Sequence, residues 1–328
     1  MQMGVKLRRV LGLMALTACG FTLSACVDNP ADIPALVTPV AVVVPPPPPP
    51  APVALVDPPR STASQELSLY YRRLQNDLLA QDLMRGDGGG ADTPFDADML
   101  ARNFMRIALF DEFAPGGGTQ TAQPTPGVLR RWDQPIGMNI EFGPTVPTAQ
   151  RVRDTASIGA YAARLSRLTN VPIRQNAINA NYTVMVLNED DRAGFEGRLR
   201  SLIPGIEDAS VRTFLALPRD LFCIVISVSR NNAPTYERAV VLIRGEHPDV
   251  MRLTCVHEEL AQAMGLPNDS PQARPSIFND DDEFGLLTTH DEMLLRMLYD
   301  PRLQPGMTVE QAAPIVRQIA AELVGGGA

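Results

Sequence analysis

The sequence predicts an α+β protein: a mixed, largely antiparallel sheet packed on helices and preceded by a helical hairpin. Short apolar runs rich in β-branched residues recur at 182–187 (YTVMVL), 221–229 (LFCIVISVS) and 238–243 (RAVVLI), and 136–142 (IGMNIEF) alternates apolar with other residues. Their length and composition are those of strands. Amphipathic stretches at helical spacing stand before, between and after them. The last two runs flank Asn231-Asn232, a pair that tolerates the left-handed backbone of a tight turn and so predicts an antiparallel hairpin.

In chain order, residues 62–85 place Leu67, Tyr70, Tyr71, Leu74, Leu78 and Leu79 on one helical face, and the glycines from Gly86 to Gly90 end the run. A second helix is expected over 96–113, with Met99, Phe104, Ile107, Ala108 and Phe110 apolar. These two form the expected hairpin. A loop at 115–127, rich in glycine, threonine and proline, marks a boundary. Residues 136–142 alternate as a strand, 147–168 read as a long amphipathic helix, and 192–202 as a short one. The helix at 248–264 begins on Pro248 and stops at Gly265, the usual asymmetry of helix ends.

The first sixty residues have a different character. Lys6, Arg8 and Arg9 precede an apolar run at 10–21 and then Leu23-Ser24-Ala25-Cys26. That order is a basic n-region, a short h-region and small residues at a cleavage point, a secretory signal. Leu-Ser-Ala-Cys is similar to the lipobox of bacterial lipoproteins, which implies cleavage before Cys26 and lipid on its sulfur. The chain is then expected in the cell envelope, lipid-anchored to the periplasmic face of the inner or outer membrane. Residues 26–60 are dominated by proline, alanine and valine, and favour a polyproline II tether reaching up to roughly 100 Å. The expected organisation is a signal peptide at 1–25, the tether at 26–60, a helical segment at 61–114, the main domain at 128–304, and a C-terminal helix and tail at 305–328.

Charge and cysteine content narrow the partners. The chain carries a formal charge of −8, and loss of three basic and no acidic residues with 1–25 makes it −11. Nucleic acid and anionic lipid headgroups are therefore poor candidate partners. After processing, Cys26, Cys223 and Cys255 remain. With the first lipidated, Cys223 and Cys255 are the available pair in an oxidising compartment, and a disulfide is expected; two separate buried thiols are the alternative.

The most informative stretch is CVHEELAQAMGLPNDS at 255–270. His257-Glu258 suggests HExxH, but the position four after His257 is Ala261, so that frame fails. Shifted by one, the run from Glu258 to Ser270 resembles the matrixin branch of the metzincin peptidases, whose signature HExxHxxGxxH is often continued as HELGHALGLPHDS. The resemblance places Glu259 on the general base and Gly265 on the glycine of the sharp turn. The zinc-ligand positions fall on Glu258, Gln262 and Asn268. Arg131-Trp132-Asp133-Gln134-Pro135-Ile136 looks like the lead-in to the first strand of such peptidases, residues 287–299 are similar to their final helix ending in Tyr299, and Phe278 stands where their turn methionine would be. Together, HEExxQxxGLPND and LLRxLYDPRLxPGM look closest to an uncharacterised family of proteobacterial lipoproteins, domain of unknown function family 2927. The resemblance implies a zincin-like domain.

The departures change the expected chemistry. A catalytic zinc takes three good ligands, usually imidazoles, and an open place for water. One carboxylate and two amides suit hard cations better, so no cofactor is expected, zinc least of all, and calcium is the metal that these donors and the acidic run 280–283 would fit. Without an acidified water, Glu259 has no task as a base. The expected role is a non-catalytic zincin-like lipoprotein binding a peptide or envelope protein; the alternative is a hydrolase using Glu258 and Glu259. His257 reads as a packing residue, and His247 as a surface turn residue.

Overall fold

The computed structural model describes residues 2–7, 57–113, 122–175 and 177–326. Cys26, the apolar run at 10–21 and the tether up to residue 56 lie outside the described residues. In chain order the elements are β1 (Gln2–Leu7), α1 (Thr62–Leu79), α2 (Ala97–Ala108), β2 (Phe110–Phe113), β3 (Ala122–Pro126), β4 (Ile136–Phe142), α3 (Thr148–Thr169), β5 (Ile173–Gln175) and β6 (Tyr182–Leu187). Then come α4 (Glu189–Arg192), α5 (Glu196–Leu202), α6 (Asp208–Leu215), β7 (Leu221–Val228), β8 (Arg238–Arg244), α7 (Asp249–Gln262), α8 (Thr289–Leu298) and α9 (Val309–Gly325). The class is mixed α and β, as expected. Among the described residues no helix is long and apolar enough to cross a membrane.

The sheet corrects the expectation of a largely antiparallel ladder. Its order is β1-β7-β8-β6-β4-β5, and β4 runs parallel to both β5 and β6, as β6 does to β8. Only β7 runs antiparallel to β8, with β1 antiparallel on its far side. The cause is the connections. Parallel neighbours need a crossover, and α3 after β4, then α4 to α6 after β6, supply long ones. The short link between β7 and β8, with Asn231 and Asn232 at φ 52° and 57°, permits the hairpin that the sequence predicted.

Both faces of the sheet are covered, which is why its inner strands read as unbroken apolar runs. Alternate residues separate the two cores. Val184, Val186, Val225, Val241 and Ile243 face the larger core, which α3, α7 and α8 share, while Met185, Leu187, Ile224, Ile226, Val240 and Leu242 face a smaller one with Leu199, Leu202, Val211 and Phe214 from α5 and α6. The disulfide joins Cys223 of β7 to Cys255 of α7 with Cα atoms 5.9 Å apart.

The helical hairpin is also corrected. The link between α1 and α2 is pinned elsewhere, with Met84 N–H donating to the Asp282 carbonyl at 2.7 Å and Arg85 N–H to that of Glu283 at 2.8 Å. So α1 packs beside the 217–251 region, where Tyr71 donates to the Arg219 carbonyl and Ser64 to Glu246, and α2 packs on α8 and α9. The second helix stops at Ala108; Phe110–Phe113 forms β2 and pairs with β3, part of the stretch expected to be loop.

Candidate functional site

Helix α7 carries the motif, and its surroundings explain its rigidity. Asp249 in its first turn bonds Arg252 at 2.6 Å, an acid at the positive end of the helix dipole. Arg252 is buried and also binds Asp154 at 2.8 Å, so the first turn is tied to α3. From Thr254 to Gln262 every side chain is buried.

Four aromatic donors hold the backbone of this helix. Tyr161 donates to the His257 carbonyl at 2.8 Å, Tyr182 to that of Leu260 at 3.2 Å, the Trp132 indole to that of Ala263 at 2.8 Å, and Tyr299 to that of Met264 at 2.8 Å. The last two take carbonyls that a helix end leaves without an internal partner. Burial pushes the hydroxyls of Tyr161, Tyr182 and Tyr299 well above their ordinary range, so they remain neutral donors. Gly265 follows at φ +124°, and a Cβ there would overlap the Arg130 carbonyl oxygen. Glycine is the one residue that this turn admits. These contacts explain why Trp132, Gly265 and Tyr299 occur together in the sequence.

The residues that the sequence resemblance aligns with a peptidase's base and ligands lie inside this packing. Glu258 and Glu259 are 1% exposed, and Gln262 and Asn268 are 3% exposed. Asn268 turns toward α2: its side-chain amide donates to the Arg106 carbonyl at 3.1 Å and its backbone N–H to that of Ile107 at 3.2 Å. Its side-chain oxygen accepts from Asp269 N–H at 3.0 Å. The end of α2 thus occupies Asn268 and roofs the returning loop. Phe278 is fully buried, and its carbonyl accepts from Ser270 N–H at 2.8 Å. Among the described residues, no three His, Cys, Asp or Glu side chains are grouped so as to hold a metal.

The histidines are structural in their contacts. His257 stacks on Tyr161 with ring centroids 4.0 Å apart, and its Nδ1 accepts from Leu287 N–H at 2.9 Å. Desolvation lowers its pKa to about 3, so the ring is neutral. His247, expected on the surface, is buried between Tyr71 and Phe222, near the disulfide; α1 covers the turn that carries it. His290 is fully buried beside Asn103 and Phe95 of the α2 region.

One further buried group, Asp291, has no role assigned from the sequence, and the acidic run 280–283 takes partners of its own. Asp291, with no exposed surface, accepts from Ser276 Oγ at 2.5 Å, Ile277 N–H at 3.0 Å, Thr288 N–H at 3.0 Å and Thr288 Oγ1 at 2.8 Å, fastening the 275–278 loop to the start of α8. In the acidic run, Glu283 is taken by Arg274 at 2.6 Å and Arg85 at 3.2 Å, and the Arg274 guanidinium holds its carboxyl below the usual range. Glu283 is thereby committed to arginines. Among the described residues, one surface groove of about 440 Å³ lies between α3 and α8 and another of about 150 Å³ beside Arg153, Leu253 and Val256; neither is lined by Glu258, Glu259, Gln262 or Asn268.

A family model described as a protein of unknown function (DUF2927) matches residues 97–318. No curated protein and no solved structure matches the chain.

Proposed function

This chain belongs to the DUF2927 family of proteins of unknown function, and from that footing we propose that it is a non-catalytic envelope lipoprotein that binds an extended peptide or protein segment. The scaffold is a zincin-like one in which the former catalytic helix has become a core helix. The supporting observation is the burial of the motif side chains: the carboxylates of Glu258 and Glu259 are 1% exposed. A general base must come within hydrogen-bond reach of the water or group it deprotonates. Here that reach is filled by the protein itself.

Lipid on Cys26 anchors the mature chain to a membrane. Cleavage before Cys26 removes β1, whose residues Gln2 to Leu7 pair antiparallel with Ser227 to Leu221 of β7. The outer backbone edge of β7 is then open, and an extended segment of a partner takes the same ladder by strand addition.

The test uses the mature, lipid-bearing protein with a mixture of peptides, read by mass spectrometry for cleavage and by pull-down for binding. Binding without cleavage is expected. Cleavage that disappears in Glu259→Gln would contradict the reading and favour a hydrolase acting through Glu258 and Glu259.

A further inference from the structure

The groove between α3 and α8 carries the opposite sign of charge to the protein as a whole. Arg164, Arg167 and Leu168 line it from α3, and Glu292 and Arg296 from α8, around about 440 Å³. The whole chain is at −8, yet here three guanidiniums face a single carboxylate. Glu292 is already engaged on both sides, 2.9 Å from Arg164 and 3.5 Å from Arg296. Arg164 also donates to the Leu287 carbonyl at 3.2 Å. These bonds fix two guanidiniums at opposite walls and leave the groove with an excess of two positive charges. Arg167 also lines the groove, exposed and with no ion pair among the described residues.

We propose that this groove binds the phosphate group of a phosphate monoester. The excess charge matches a group that carries close to two negative charges near neutral pH. Guanidinium forks pair with phosphate oxygens in a bidentate manner, and the three oxygens of a monoester can engage three forks. A carboxylate has one charge and two oxygens, which leaves one arginine unmatched. The volume falls within the range of small-molecule sites and exceeds the needs of a bare phosphate, and Leu168 supplies apolar contact for the organic part. This inference does not depend on the peptide-binding reading, which concerns β7. The monoester is either a soluble metabolite or a lipid headgroup, since both present the same chemistry.

The test is calorimetric titration of the mature protein with inorganic phosphate, glucose 6-phosphate and acetate, alongside sedimentation with phosphatidylcholine vesicles with and without phosphatidic acid, because lipid on Cys26 inserts into both. Wild type, Arg167→Ala and Arg296→Ala are compared, with Arg153→Ala, which pairs with Asp249 at 3.5 Å outside this groove, as the control. Saturable binding of both phosphates is expected, stronger than acetate and weakening with salt. Arg167→Ala should weaken it about tenfold or more while leaving the melting temperature unchanged, since its side chain makes no hydrogen bond or ion pair among the described residues. Arg296→Ala should also weaken it, and Arg153→Ala should not. A preference for the vesicles with phosphatidic acid that glucose 6-phosphate abolishes assigns the source to a lipid; ester binding with equal association to both vesicles assigns it to a soluble compound. Absence of saturable phosphate binding, equal affinity for acetate, or unchanged affinity in Arg167→Ala overturns the proposal.

Discussion

Replacing Gly265 by alanine should destabilise the protein by roughly 3–5 kcal/mol. One contribution is conformational: φ at Gly265 is +124°, and holding an L-residue in such a region costs about 1–3 kcal/mol. The other is steric. The added Cβ would meet the Arg130 carbonyl oxygen and lie 3.0 Å from Leu298 Cδ2. The backbone cannot step aside easily, because Trp132 and Tyr299 fasten this segment to the Ala263 and Met264 carbonyls at 2.8 Å each. Overpacking of that kind costs about 1–3 kcal/mol. Against a typical domain stability of about 5–15 kcal/mol, the loss is large. Urea unfolding followed by circular dichroism measures it through the midpoint at constant slope. Gly194→Ala is the control, because no heavy atom lies within 4 Å of its would-be Cβ and its φ is not positive; a change within about 0.5 kcal/mol is expected there. A loss below about 1 kcal/mol at Gly265 would refute the claim that this turn is fixed by its neighbours.

Further outcomes follow from the same packing. His257 is held neutral, with a folded pKa of about 3 against an ordinary 6.5, so below about pH 6.5 the unfolded chain takes up a proton that the folded chain refuses. Its contribution is present above that pH and is lost as the pH falls toward about 3, amounting to roughly 2–3 kcal/mol at about pH 4.5. Urea midpoints across this range should show the slope, and His257→Gln should flatten it; an unchanged slope would count against a neutral buried ring. Cys223→Ala with Cys255→Ala opens a cross-link spanning 32 residues and should cost roughly 3–4 kcal/mol, read as a lower melting temperature equal to that of the reduced wild type. Asp291→Ala strands the donors of Ser276, Ile277 and Thr288 in the interior and should cost about 3 kcal/mol or more by urea unfolding, whereas a loss under about 1 kcal/mol would show that the loop finds other partners.

Much of the fold could be read along the chain, and the unread part has a common cause. The strands at 182–187 and 221–229, the hairpin at Asn231-Asn232, helix α7 and the disulfide all rest on local pattern or on a short count of cysteines. Strand direction does not. The parallel ladder of β4, β6 and β8 depends on how α3 and the α4 to α6 segment cross over, and the three-residue β5 is too short to carry a period. His247 lies in a turn by its sequence, yet α1, far away along the chain, buries it. In the same way, the shifted frame at Glu258, Glu259, Gln262 and Asn268 is written in the sequence. The roof over it is not, because Arg106 and Ile107 offer only backbone carbonyls to Asn268, and backbone leaves no compositional trace. The arginine groove escaped for the same reason: Arg167 and Arg296 sit on helices more than a hundred residues apart.

On the proposed reading the motif helix is structural and keeps no catalytic metal. Elemental analysis of the mature protein, purified with zinc present and then dialysed, tests it most directly. Far less than one zinc per chain is expected, with no change in Gln262→Ala or Asn268→Ala. One tightly held zinc per chain that is lost in those variants would contradict the account.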